Sequence, residues 1–301
     1  MFRTFERSWQ LIKICWGILR SDKDLIVFPL VSFIGLVVVT LVFGLPLLGS
    51  GILEALSESS GSDSSRIAAS AVVLFISFLF LFAQALVVNF SNAALTGAVF
   101  MRLDGKDPTV GDGFRIASSR IGAIVPFALI NALLSMLSNA IRSAGRDSEG
   151  NFIARLIAEL IASLIDAAWD VVTFLAIPVI VAENLGAIDA IKRSAQLLKD
   201  TWGRQIAGTV TIGAIMGLIS LGLLIVIGVP GFLIATSLGS GFLLTVVIVL
   251  MLTVVGAVTL VGGALNSIYR AALYRYAHDH KVDFFGEEIL QGAFKPKGAE
   301  A

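Results

Sequence analysis

From Gln205 to Tyr269 the chain carries no Asp, Glu, Lys or Arg, and no other feature restricts its fold as strongly. A bilayer core of about 30 Å is crossed by about 20 apolar residues at 1.5 Å each. The uncharged stretch is too long for one crossing and is punctuated by GVPGF (Gly228 to Phe232) and LGSG (Leu238 to Gly241). Gly and Pro interrupt a helical pattern, so two spans are predicted, near 205–227 and 241–269. Phe232 to Ser237, between them, reads as an outer turn or a re-entrant segment.

Further apolar runs lie near 25–48, 67–101 and 121–141, and a fourth, near 152–182, carries charges in its first half. The total is six. Hydrophobic residues make up 56% of the chain and charged residues 15%, against about 45–50% and about 25% in soluble domains, so lipid is the solvent for most of it. The fold class expected is all-α: an integral membrane bundle of six transmembrane helices with cytoplasmic amphipathic interfacial helices. It divides into an N-terminal interfacial helix (1–24), the transmembrane domain (25–277) and a cytoplasmic tail (278–301). The first apolar run is longer than a signal-peptide core and follows a charged segment, so it reads as an uncleaved anchor. A formal net charge of zero gives nucleic acid nothing to bind. One cysteine, Cys15, and two histidines imply no disulfide, no metal site and no cofactor. No phosphate-binding Gly-rich loop, paired-His helix or nucleophile elbow is present, which argues against an enzyme.

Charge is informative by position. Lys and Arg number five in 1–24, four in 102–120, four in 183–204 and five after Tyr269, while the opposite connections hold only Arg66, Arg142, Arg146 and Arg155. Eighteen against four predicts both termini in the cytoplasm. Trp9, Trp16, Trp169 and Trp202 all fall where this arrangement puts a membrane surface, the level that amphipathic rings prefer.

Phe2, Phe5, Trp9, Ile12, Trp16 and Leu19 recur at helical spacing, with Arg3, Arg7 and Lys13 on the other sides. This is the pattern of an interfacial helix basic enough to favour anionic lipid; a helix packed under the bundle is the other reading. Ile188, Ile191, Ala195, Leu198 and Trp202 form a second stripe beside Lys192, Arg193 and Lys199, and Val110, Phe114, Ala117 and Ile121 a third. The expected lipid contacts are Arg3, Arg7, Trp9, Lys13, Trp16, Lys192, Arg193 and Trp202. Each even-numbered span ends in a polar turn and a short amphipathic stretch, which looks like three related helical hairpins.

Four blocks, RSWQLIKICWGILRSDKDLIVFPLVS, NAALTGAVFMRLDGKDPTVGDGFRIA, TFLAIPVIVAENLGAIDAIKRSAQLLKDTWG and YRAALYRYA, resemble a family of uncharacterised prokaryotic multi-pass membrane proteins over nearly the whole chain. The third block, with Pro178, Glu183, Ala190, Arg193 and Ser194, is also similar to the membrane domain of glycerophosphodiester phosphodiesterases, whose catalytic domain has no counterpart here. The resemblance implies a multi-pass protein of the prokaryotic cytoplasmic membrane and supplies no activity.

Ionisable residues within spans are costly and point to function. Arg155, Glu159, Asp166 and Asp170 are spaced by four, seven and four, which puts them on a face about 60° wide. Asn131, Ser135, Ser138 and Arg142 follow the same repeat in span 3, so the two polar stripes face each other if spans 3 and 4 form an antiparallel hairpin. That register sets Arg142 beside Arg155 and Glu159, and Asn131 level with Ser163 to Asp166. Counting about 20 residues outward from Glu183 sets the lipid boundary near Ser163, leaving Arg155 and Glu159 outside. The stripe reads either as a helix contact or as a polar pathway. A non-enzymatic protein binding lipid or a partner, the partner being another membrane protein or a second copy, ranks first; a small transporter or channel using the polar faces of spans 3 and 4 ranks second. Pro126 and Pro178 are expected to kink their spans.

Overall fold

The computed structural model describes residues 17, 23–44, 63–146, 152–202, 219–237 and 241–279. Among them every regular element is a helix. A 3-10 turn, Lys23–Ile26, leads into α1 (Val27–Val39), which closes in a π-helical turn, Thr40–Gly44. Then come α2 (Asp63–Leu103), α3 (Val110–Ser119), α4 (Ile121–Arg146), α5 (Phe152–Val172), α6 (Ala176–Glu183) and α7 (Ala187–Trp202). Helical residues 219–223 and a π-helical turn, Leu224–Gly228, run into α8 (Val229–Ser237), and α9 spans Gly241–Asp279.

Five stretches among the described residues are helical, long and apolar enough to cross a membrane: Asp24–Phe43, Ser70–Leu103, Ile121–Arg146, Phe152–Glu183 and Val254–Arg275. The protein is an all-α membrane protein. These stretches correspond to expected spans 1 to 4 and 6; residues 205–218 of the fifth lie outside the described residues. The chain forms two compact units, one of residues 1–33, 98–112 and 197–301, the other of 34–97 and 113–196.

Local chemistry fixes where the helices stop. At the end of α2 the Asp104, Gly105 and Lys106 N–H groups donate back to the Phe100, Arg102 and Met101 carbonyls, and Gly105 takes the left-handed conformation (φ 76°) that such a stop requires. Before α3, Thr109 Oγ1 accepts from the Asp112 N–H at 3.2 Å while Asp112 Oδ2 accepts from the Thr109 N–H at 3.1 Å, a reciprocal cap.

Two sequence expectations are corrected. GVPGF does not break the helix: the chain passes through it in a π-helical turn and continues as α8 to Ser237, so Phe232 to Ser237 is helix and not a turn. A π-turn shifts the hydrogen-bond register by one residue, which accommodates the missing N–H of Pro230. Span 4, read as one kinked helix, is two helices separated at Thr173 to Leu175. Pro178 has no N–H for the Phe174 carbonyl and its ring crowds that carbonyl, so the helix stops and restarts with Pro178 in the first turn of α6. The buried face of α7 is Ala187, Ala190, Ser194, Leu197 and Leu198, while Ile188 is 61% exposed. Of the apolar stripe read from sequence, Leu198 is buried and Ile188 stands exposed.

Within the second unit, α4 and α5 form an antiparallel hairpin whose closed end is tight. A Cβ added at Gly145 would stand 2.4 Å from Ala158 Cβ, so the helices approach where neither has bulk, as small residues allow in membranes. Gly145→Val is expected to destabilise the protein by about 1–3 kcal/mol through overpacking, read as a lower thermal midpoint in detergent; an unchanged midpoint would show that the hairpin opens there freely.

Candidate functional site

The α4–α5 seam gathers the polar residues singled out in sequence. The Arg142 guanidinium donates through Nε to Glu159 Oε1 at 3.2 Å and through a terminal nitrogen to Asp166 Oδ2 at 2.5 Å. The other Asp166 oxygen accepts from the Ser138 hydroxyl at 2.6 Å, and Ser138 is buried. Ser163 Oγ donates to Glu159 Oε1 at 3.4 Å. Toward the open end of the hairpin, Trp169 Nε1 donates to Asn131 Oδ1 at 2.7 Å, and its ring stacks on Phe127 with centroids 6.3 Å apart.

The stripes therefore do face each other, about one helical turn out of the expected register: Asn131 is level with Trp169 and not with Ser163 to Asp166. Trp169 is half-buried in the helix contact. Ser135, Arg155 and Asp170 are exposed on their helices. The seam brings together one cation and two carboxylates, and the cation is shared between them.

A second cluster, absent from the sequence reading, surrounds α6, whose residues from Ala176 to Val181 are all buried. Arg120, at the junction of α3 and α4, donates to the Val181 carbonyl at 3.4 Å and to the Asn184 side-chain oxygen. Asn184 ends α6 in the left-handed conformation (φ 55°). A guanidinium at a helix C-terminus satisfies its free carbonyls and complements its dipole. Arg193 Nε donates to Glu183 Oε1 at 3.3 Å. The fully buried Ser194 Oγ accepts from the Leu175 N–H at 3.0 Å. The break in span 4 frees that N–H, and α7 supplies its acceptor. The signal available in sequence was a lone serine on the small-residue face of α7.

Of the expected lipid contacts, Arg3, Arg7, Trp9, Lys13 and Trp16 lie outside the described residues, and so does the side chain of Trp202, the last residue of α7. Lys192 is exposed and lies 3.8 Å from Asp189. Arg193 is tied to Glu183 and partly buried, so it braces α6 against α7.

In the first unit, Arg275 pairs with Asp104 and lies over the Phe100 ring, 5.6 Å from its centroid, and Phe100 meets Tyr274 at 5.6 Å. Those contacts account for the YRAALYRYA block as a packing surface.

Two measurements test these assignments. Ser194→Ala leaves the Leu175 N–H buried without its acceptor and is expected to cost about 1–3 kcal/mol, read by chemical or thermal unfolding in detergent. Arg142→Gln and Asp166→Asn are each expected to lower the thermal midpoint, and the double variant to lose less than the two losses added, because removing one partner strands the other charge. Simple additivity would mean that the pair is not coupled.

No curated protein matches the chain. A family model described as a family of unknown function, DUF6159, matches residues 68–284, which takes in α3 to α8 whole, most of α2 and all of α9. With that match covering most of its length, the chain belongs to DUF6159.

Proposed function

We propose that this is a non-enzymatic protein of the prokaryotic cytoplasmic membrane, with both termini inside, that binds anionic lipid headgroups through the basic helices of its inner face. The observation that carries the reading is the contrast between two sets of charges. Within the hairpin, Arg142 is consumed by Glu159 and Asp166. On α7, Lys192 and Lys199 stand exposed, and the contact between Lys192 and Asp189, about 70% exposed on both sides, competes weakly with a headgroup phosphate in water. The basic N-terminal segment, Arg3, Arg7 and Lys13, adds to the same side, each cation contributing about 1 kcal/mol near an anionic leaflet.

In nanodiscs of mixed zwitterionic and anionic lipid, native mass spectrometry is expected to find anionic lipid enriched on the wild-type protein. The variant Arg3→Gln, Arg7→Gln, Lys13→Gln, Lys192→Gln is expected to lose most of that enrichment. No enrichment on the wild type would remove the reading, and a stable second copy or co-purified protein retained through the same residues would replace lipid with a protein partner. A transport pathway along the polar faces of spans 3 and 4 is the second reading, favoured by the exposure of Asp170 on the stripe that holds Asp166. It requires Asp170→Asn to abolish an ion flux that wild-type proteoliposomes display.

A further inference from the structure

The exposed surface of the second unit changes chemistry at the break in span 4. On the α4–α5 hairpin the outward residues are predominantly apolar: Leu133 and Leu137 on α4, and Leu156, Ile157, Leu160 and Leu164 on α5, are each half exposed or more. Past Thr173 the pattern inverts. The α6 residues from Ala176 to Val181 are buried, and the exposed positions on α3, α6 and α7 are mostly polar or charged, among them Arg115, Ser118, Asp189, Lys192 and Gln196, with Ala182 and Ile188 as apolar exceptions. A surface of leucine and isoleucine suits acyl chains; a surface of charges and amides suits water.

Length agrees with this division. The 21 residues of α5 extend about 31 Å, the thickness of the hydrocarbon layer, whereas α5 and α6 together overshoot it. We propose that α5 alone is the fourth span. The inner lipid boundary then falls at Thr173 to Leu175, and α3, α6 and the start of α7 form a layer standing in water on the inner face. This frame differs from the one obtained by counting back from Glu183, and it orders the charges of α5 by depth. Arg155 lies about 5 Å from the outer end of α5 and Asp170 about 3 Å from the inner end, both within reach of headgroups. Glu159 and Asp166 lie about 9–11 Å from the nearer end, and they are the two that Arg142 holds. In the counted frame, by contrast, the best-paired charges would lie in or near water and helix α6, covered by protein from Ala176 to Val181, in lipid.

The test is spin-label depth profiling of the full chain in liposomes, in a Cys15→Ser background with single cysteines at the exposed positions Leu156, Leu160, Leu164, Val171, Ala182 and Ile188. Collisions with oxygen relative to a water-soluble nickel chelate are expected to peak at Leu160 and Leu164, to fall at Val171, and to reach the aqueous value at Ala182 and Ile188. A maximum at Val171, with Leu156 and Leu160 aqueous, would overturn the proposal, as would a flat profile. Each labelled protein is checked against the wild-type thermal midpoint, and membrane-impermeant maleimide labelling of Ala182→Cys and Ile188→Cys in inside-out vesicles gives an independent readout: both react if the inner layer is in water, and a protected Ala182→Cys refutes it.

Discussion

A backbone group buried under protein is shut off from water, and an interruption in a buried helix has to be repaired from within the chain. Pro178 imposes such an interruption. Its missing N–H and its ring end α5 at Val172, and the second unit is organised around the repair. Thr173 turns its hydroxyl onto the Trp169 carbonyl, Ser194 accepts the Leu175 N–H, and Arg120 caps the other end of α6. Three separate parts of the chain are thus committed to one eight-residue helix, and the burial of Ala176 through Val181 follows from that commitment.

The seam between α4 and α5 obeys a different economy. In Arg142, Glu159 and Asp166 two carboxylates share one guanidinium, with the Ser138 hydroxyl donating to Asp166 Oδ1 and the Ser163 hydroxyl to Glu159 Oε1. Such a network is directional. Together with the hydrogen bond from Trp169 Nε1 to Asn131 Oδ1 it fixes the register of two helices whose remaining contacts, Gly145 on Ala158 and Phe127 on Trp169, are steric and apolar. Apolar contacts alone leave neighbouring registers close in energy in a membrane, where burial provides no drive between helices.

Hydropathy made the helices legible because length and absence of charge are properties of the chain alone. Periodicity exposed the facing polar stripes for the same reason: 100° per residue needs no partner. What was not legible depended on partners. The register of α4 on α5 rests on a tryptophan that composition assigned to a membrane surface. The buried face of α7 includes Ala187, Ala190 and Ser194 beside Leu197 and Leu198, and a hydrophobic stripe gives no hint of its small residues. GVPGF looked like a stop because Gly and Pro usually are one; a π-turn absorbs the proline at the cost of one extra residue, and no local signal distinguishes the two outcomes. The basic N-terminal stripe remains a reading of sequence, since it lies outside the described residues.

The ion-paired hairpin also constrains how the protein is made. Only five residues, 147–151, separate α4 from α5, and each helix carries charges that the other neutralises. A helix released singly into lipid would enter with Arg142, or with Glu159 and Asp166, uncompensated, which is costly for either. A hairpin that carries its own counter-charges across so short a connection costs less to place in lipid than either helix would alone.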